Sequence, residues 1–317
     1  MIRIEVADSE LMKAIEKKKK GWLKNAEKKL KAARKAGKIE DKDGIWSEIK
    51  EVFILLQGFK CIYCEAPMPK VESTSANKVT VAYDVEHYRP KNRVTPWPTT
   101  DVLAHRPAVQ AYAASVASGA PAGYLRLAFD PLNYVVSCKV CNSSYKADRF
   151  PIHVDGKPSS RARKRATLDA AEMPLLLFPF GEDGDDPGQF IGFNGPLIVR
   201  RDGAGYEGLR SHVVVDFFEL DTREDLLEGR CMLIQMLWTR LENQSSNDVE
   251  ERAEAEAFLK VVQEELRFPH TACGRAFIEL HARDRLRARA CYRAAGQYLT
   301  SKDPAVFEAL GSPAVEP

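Results

Sequence analysis

Nowhere in this 317-residue chain does an apolar run approach the ~20 residues that a membrane-spanning helix needs. The longest runs, such as Val52–Leu56, are of core length. No apolar stretch stands behind the N-terminus either. Glu5, Asp8 and Glu10 occupy that region, which argues against a secretory signal and makes the cytoplasm the expected compartment. No internal repeat is present, and no low-complexity tract beyond the N-terminal lysine run. Net charge is also scarce, at +2 overall. The seven cysteines are odd in number, and in a reducing compartment a disulfide framework is not expected. The hydrophobic fraction of 44% suits a soluble globular protein of one large domain or two modest ones.

The small net charge hides an asymmetry. Residues 1–43 hold 14 Lys/Arg against 8 Asp/Glu, whereas the remainder is slightly acidic. That basic excess suits a phosphate backbone, an acidic partner or a solvated face. The spacing predicts one long helix over 9–36, capped by Ser9 and stopped by Gly37, and a second over 45–56 ended by Gly58. Val79–Val85 alternates like a strand and runs into Glu86-His87. Residues 95–123 read as an inserted loop with a short helix near 107–118. A strand-like run falls within 124–137, and a helix is expected over 139–149. Short apolar runs over 174–217 predict several strands. Residues 222–265 and 272–298 are helical in pattern, and the proline-bearing tail 301–317 is expected to fray. The expected fold class is α+β, divided as a basic helical region (1–57), a central core (58–160) and a strand-plus-helix region (161–317).

Two motifs interleave in the central region. Cys61-x-x-Cys64 and Cys138-x-x-Cys141 have the spacing of a tetrahedral four-thiolate zinc site, because each turn places two sulfurs on one side. With 73 residues between the pairs, such a site staples distant pieces of chain. Cys231, Cys273 and Cys291 stand alone in helical patterns and are expected as core thiols. Within the cysteine frame lie Asp84-Val85-Glu86-His87, then Asn133, then Asn142 with Lys146 behind it. Phosphodiester hydrolysis needs a water nucleophile, a base and a cation beside the phosphate oxygens. His87 suits the base. Glu86 and Asn142 offer oxygen ligands for Mg²⁺ or Mn²⁺, and Asp84 offers a further one. Asn133 is expected to hydrogen-bond His87 and set its tautomer. Glu86 and His87 are adjacent, so they can share a site only where the strand bends or ends. Arg89, Lys91, Arg93, Lys139, Lys146 and Arg149 flank the motif and are candidate phosphate contacts. His153, just beyond it, is a candidate substrate contact.

This constellation resembles the HNH endonuclease family: an acidic residue and His at a strand end, a middle Asn, and a final Asn at a helix start, framed by two Cys pairs. The likeness extends through Glu86-His87-Tyr88-Arg89-Pro90-Lys91, Gly123–Asp130, Asn142–Lys146 with Phe150-Pro151, and Pro174–Pro179 with its acidic sequel to Asp186. Those segments are similar to one branch, which includes the HNH effectors of Septu-type and retron-associated anti-phage systems. The resemblance implies a ββα-metal core stapled by zinc and His87, Glu86, Asn133 and Asn142 as the catalytic set. It also implies nucleic acid as substrate, DNA favoured over RNA, an ABC/SMC-like ATPase as partner, and no membrane. Two other readings stay open from sequence: an RNA-cleaving nuclease of the same type, and a non-catalytic zinc module that binds nucleic acid or a partner.

Overall fold

In the computed structural model, residues 1–39, 44–68, 83–161, 164–201 and 203–311 are described. The helix expected over 9–36 is two. α1 (Asp8–Lys18) and α2 (Trp22–Ala36) are separated by Gly21 at φ +79°, a left-handed conformation that glycine alone adopts at no steric cost. The carboxylate of Glu16 accepts the Gly21 and Leu23 N–H groups, and so holds the corner. Ser9 is not the cap; the chain enters α1 one residue earlier, and the Asp8 N–H is taken by Glu182. The second expected helix begins as a tight 3₁₀ turn, Trp46–Ile49, and becomes α3 (Lys50–Leu56).

β1 (Tyr83–His87) is the described end of the expected strand; residues 79–82 lie outside the described residues. The insert that follows holds α4 (Thr100–His105), two short 3₁₀ turns and β2 (Val116–Ser118), in place of a helix over 107–118. β3 (Tyr134–Cys138) returns antiparallel to β1, pairing Tyr83 with Cys138 and His87 with Tyr134. Its open edge is covered by a side chain: the Gln57 amide accepts from Val136 N and donates to Val136 O, both at 2.7 Å. This resolves the exposed-edge problem of a two-stranded ribbon. The helix expected over 139–149 is a wide, π-type turn, Val140–Lys146, closed by Ala147 at φ +40°. Such turns recur at functional sites.

β4 (Pro151–His153) pairs with β2, and α5 (Arg165–Glu172) follows. Of the strands expected over 174–217, the described residues form the hairpin β5 (Ile191–Asn194) and β6 (Leu197–Arg200). Residues 205–217 are instead the helix α6, with Val213, Val214 and Val215 fully buried. Burial on all sides outweighs the β-propensity of three valines. The C-terminal helices α7 (Glu224–Asn243), α8 (Val249–Glu264), α9 (Thr271–Arg283) and α10 (Arg285–Ser301) follow the sequence pattern. Part of the tail is packed: residues 304–310 form a 3₁₀ segment that buries Phe307 and Leu310, and 312–317 lie outside the described residues.

One apolar cluster gathers buried residues from Met1 to Leu226, and a second gathers Cys231 to Leu310. Most of the apolar face of α7 belongs to the second; Met232 and Met236 are exposed. Cys231, Cys273 and Cys291 are fully buried core thiols, as expected. Among the described residues, no helix is long and apolar enough to cross a membrane.

Candidate metal centre and active-site cleft

The β1–β3 ribbon carries a different site at each end. At the Cys138 end, the knuckle Cys61–Cys64 folds against β3 and brings four sulfurs within 4.8 Å of one another. Cys61 N–H is held by Ala66 O and Glu65 N–H by Cys61 O, which sets both thiols on one side of the turn. Cys64 and Cys138 Sγ are 3.8 Å apart. That is too long for a disulfide and equal to the edge, about 3.8 Å, of a tetrahedron built on 2.3 Å Zn–S bonds. The four thiols can hold a metal ion, and the all-sulfur donor set suits zinc. Hydrogen bonds from the neighbouring thiols pull Cys138 far below the usual thiol range, while burial holds Cys61 up. Arg223, just before α7, donates to Cys141 Sγ at 3.4 Å and adds positive charge beside the sulfurs.

At the other end lies a cleft of about 530 Å³ lined by Trp46, Asp84, Glu86, His87, Lys91 and Asn142, among others. His87 is the last residue of β1. The strand stops there, so it and Glu86 reach the same space despite their adjacency. The imidazole is clamped edge-on between Trp46 and Tyr134, with ring centroids 4.8 Å from each. His87 Nε2 is 3.0 Å from Ala128 O. A carbonyl only accepts, so Nε2 carries the proton and Nδ1 keeps the lone pair. Among the described residues, Nδ1 has no hydrogen-bond partner. Burial and then the Lys91 cation push the imidazole down to about 3, so the ring is neutral across the physiological range.

Ala128 therefore takes the orienting role expected of Asn133. The Asn133 side chain instead accepts from Arg89 N at 2.9 Å and donates to Arg89 O at 3.0 Å. It pins the backbone two residues past His87, because the chain leaves the strand there and needs partners for its peptide groups. Glu86 is 4% exposed. Its Oε1 is 3.1 Å from the Lys146 ammonium, yet out of line for a hydrogen bond, so that buried oxygen has an ion-pair partner but no donor. Burial raises the Glu86 carboxyl and lowers the Lys146 ammonium. Asn142 approaches Asp84 (Nδ2 to Oδ2, 3.3 Å). Asp84, Glu86 and Asn142 thus line one polar cleft with oxygen atoms of the kind that hold a hard cation, and Glu86 Oε1 already faces Lys146.

Over 165 residues, 52% of the chain, the sequence is 28% identical to the Septu protein PtuB of Bacillus mycoides (strain KBAB4). The match spans 44% of that protein's length. No protein-family profile matches the chain, and no solved structure matches it.

The flanking cations divide. Lys91 lines the cleft, its ammonium 4.8 Å from the Trp46 ring centre. Arg89 and Lys146 do not serve as surface contacts, since both are fully buried. Arg89 binds Glu172 at 2.8 Å and Asp169 at 2.7 Å and lies 5.0 Å from the Phe150 ring. A guanidinium with two carboxylates in the interior is a structural tie. Arg149 is half-buried and donates to the carbonyls of Ser144 and Tyr145, capping the π-type turn. Lys139 pairs with Asp84, and Arg93 with Asp148. His153 accepts from Asp155 N and is not among the cleft residues.

Sequence reading missed Trp46, Ser47 and Lys50, which the 3₁₀ turn and the first residue of α3 carry into the cleft from outside the motif region. Lys50 donates to Tyr83 O at 2.6 Å and is nearly buried there. Nothing in a lone tryptophan marks it as a neighbour of His87. The Ala128 carbonyl and Arg223 carried no signal at all.

Proposed function

We propose that this protein is a metal-dependent endonuclease of the HNH type, in which β1, β3 and the π-type turn form the ββα core and the four cysteines its zinc staple. The observation that carries this reading is the state of His87. It is a neutral imidazole with its proton committed to a carbonyl and its lone pair unclaimed, beside three oxygen-bearing side chains and Lys91. A histidine serving only structure is expected to have both nitrogens engaged.

Asp84, Glu86 and Asn142 would hold Mg²⁺ or Mn²⁺. That ion, when bound, stabilises charge on the phosphate and on the leaving oxygen. His87 Nδ1 takes the proton of the attacking water, while Ala128 O keeps the ring oriented. Lys91 meets a phosphate oxygen. The incoming negative charge offsets the cation that depresses His87, and so raises its basicity when substrate arrives. The products are a 5′-phosphate and a 3′-hydroxyl. The likeness to a Septu protein PtuB supports a role in anti-phage defence, and the branch resemblance extends this to an ATPase partner and to DNA over RNA.

The test is incubation of plasmid DNA and of an RNA pool with the protein, with EDTA or with Mg²⁺ or Mn²⁺. Metal-dependent nicking or linearisation of the plasmid is expected. Cleavage of RNA alone would reassign the substrate. Binding without cleavage of either, under every metal condition, would leave the zinc-module reading in its place.

A further inference from the structure

The basic excess of the N-terminal region takes a definite shape in the fold. In α2, Lys24, Lys28, Lys31 and Lys35 recur at intervals of four, three and four and are all exposed. They form one stripe. The opposite face buries Trp22, Ala26 and Ala33. The helix holds six cations against one carboxylate, Glu27, which pairs with Lys31 at 3.0 Å. This arrangement works against the helix itself. Like charges four apart repel, and Lys24 stands in a first turn that has no acidic residue, beside the positive end of the helix dipole. Stability therefore does not explain the stripe; a polyanion laid along it does.

The position of α2 says which polyanion. The Trp22 indole donates to Ile45 O at 3.0 Å and packs edge-on against Tyr134, the ring that also clamps His87. Just past α2, Ile39 O accepts from Asn92, the neighbour of Lys91 on the cleft. Both ends of α2 are thus tied to residues that adjoin the cleft, and the stripe between them runs about 16 Å from Lys24 to Lys35 at 1.5 Å per residue. That length covers about five base-pair steps at 3.4 Å each.

We infer that α2 is a phosphate track: one strand of a nucleic-acid duplex lies along Lys24, Lys28 and Lys35, and this aligns the scissile phosphate with the cleft. The inference rests on the nuclease reading for what lies at the end of the track, but the track is measurable without cleavage.

The experiment uses the full zinc-loaded chain without added Mg²⁺ or Mn²⁺ and a labelled DNA duplex, with binding followed by anisotropy from about 50 to about 200 mM NaCl. Lys24→Gln/Lys28→Gln/Lys35→Gln should flatten the slope of log K against log salt by about 2.7, at about 0.9 per lost contact. The corresponding triple Lys→Arg variant should keep the slope, as should Lys260→Gln on the distant α8. If the Gln triple misfolds, Lys28→Gln alone should lose about 0.9. An unchanged slope overturns the track. So does a variant that keeps the duplex slope while losing affinity for polyglutamate, which would make the stripe a face for an acidic protein. If the wild type cleaves nucleic acid yet the slope does not move, the track fails alone. If the slope falls but no nucleic acid is ever cut, the nuclease reading fails and the track stands.

Discussion

The two ends of the β1–β3 ribbon make an instructive pair. The cysteine site closes one end, and the cleft runs along the ribbon from Asp84 to His87, the last residue of β1. The cysteine end is closed: four sulfurs face one another, three of them on buried residues, and the buried Arg223 donates to one of them. The histidine end is open, a polar cleft in which one imidazole lone pair and one carboxylate oxygen lack hydrogen-bond partners. A closed set of ligands leaves no position for water and can only hold structure. Chemistry needs unfinished valences, and folding must tolerate them.

The sharpest way to break this comparison is to remove one sulfur. Cys→Ser at position 61, 64, 138 or 141 should abolish stoichiometric zinc in elemental analysis and leave the protein insoluble or with a collapsed melting transition. Binding free energies of structural zinc, roughly 10–16 kcal/mol, are coupled to folding. Normal melting of a zinc-free wild type would sink the assignment. The counterpart at the open end should show the reverse pattern. His87→Ala should retain stoichiometric zinc and a cooperative melting transition, lowered by the cavity it leaves, and should reduce the initial cleavage rate by ~10²–10⁴-fold. Omission of Mg²⁺ and Mn²⁺ should stop cleavage by the zinc-loaded wild type, and adding either should restore it.

Two neighbours that look alike in the sequence sharpen the contrast further. Arg89→Met breaks a buried pair with Glu172 and should cost about 3–5 kcal/mol in urea unfolding. Lys91→Gln, at the cleft, should cost much less in unfolding, on the order of the 0.5–1 kcal/mol of a cation over the Trp46 ring, and reduce the salt slope of DNA binding by about 0.9. Equal stability losses from the two would erase the distinction between tie and contact.

The smallest effect is in pH dependence. The unfolded imidazole of His87 takes its proton near 6.5, and the folded one only near about 3. Between these values the unfolded chain binds the extra proton, so stability rises with pH. The contribution is present above pH 6.5 and is lost as pH falls toward 3, by at most about 1.4 kcal/mol per unit. Unfolding of wild type and His87→Gln, both zinc-loaded and without added Mg²⁺ or Mn²⁺, should therefore converge as the solution is acidified through that window. A constant difference would mean that the ring is not buried as described.

Read along the chain, the residues already determined a good deal. The cysteine spacing was enough to place four sulfurs together, because each Cys-x-x-Cys turn is local and a shared ion is the only inexpensive way to bury two such turns side by side. The strand ending at His87, the apolar periodicity of α7 through α10, and the burial of the three lone cysteines were legible for the same reason: they depend on near neighbours and on period. Tertiary structure alone decided the rest. Arg89 and Lys146 carry the same charges as Lys91, but only the packing of α5 and Phe150 made them interior. Asn133 and Ala128 stand five residues apart, and only the path of the chain out of β1 gave the backbone to one and the imidazole to the other. Val213–Val215 became helix because burial on every side outweighs propensity. Trp46 reached His87 from outside the motif altogether. Contacts across 40 or so residues of sequence are settled by how surfaces fit together, and a composition or a period carries no record of that.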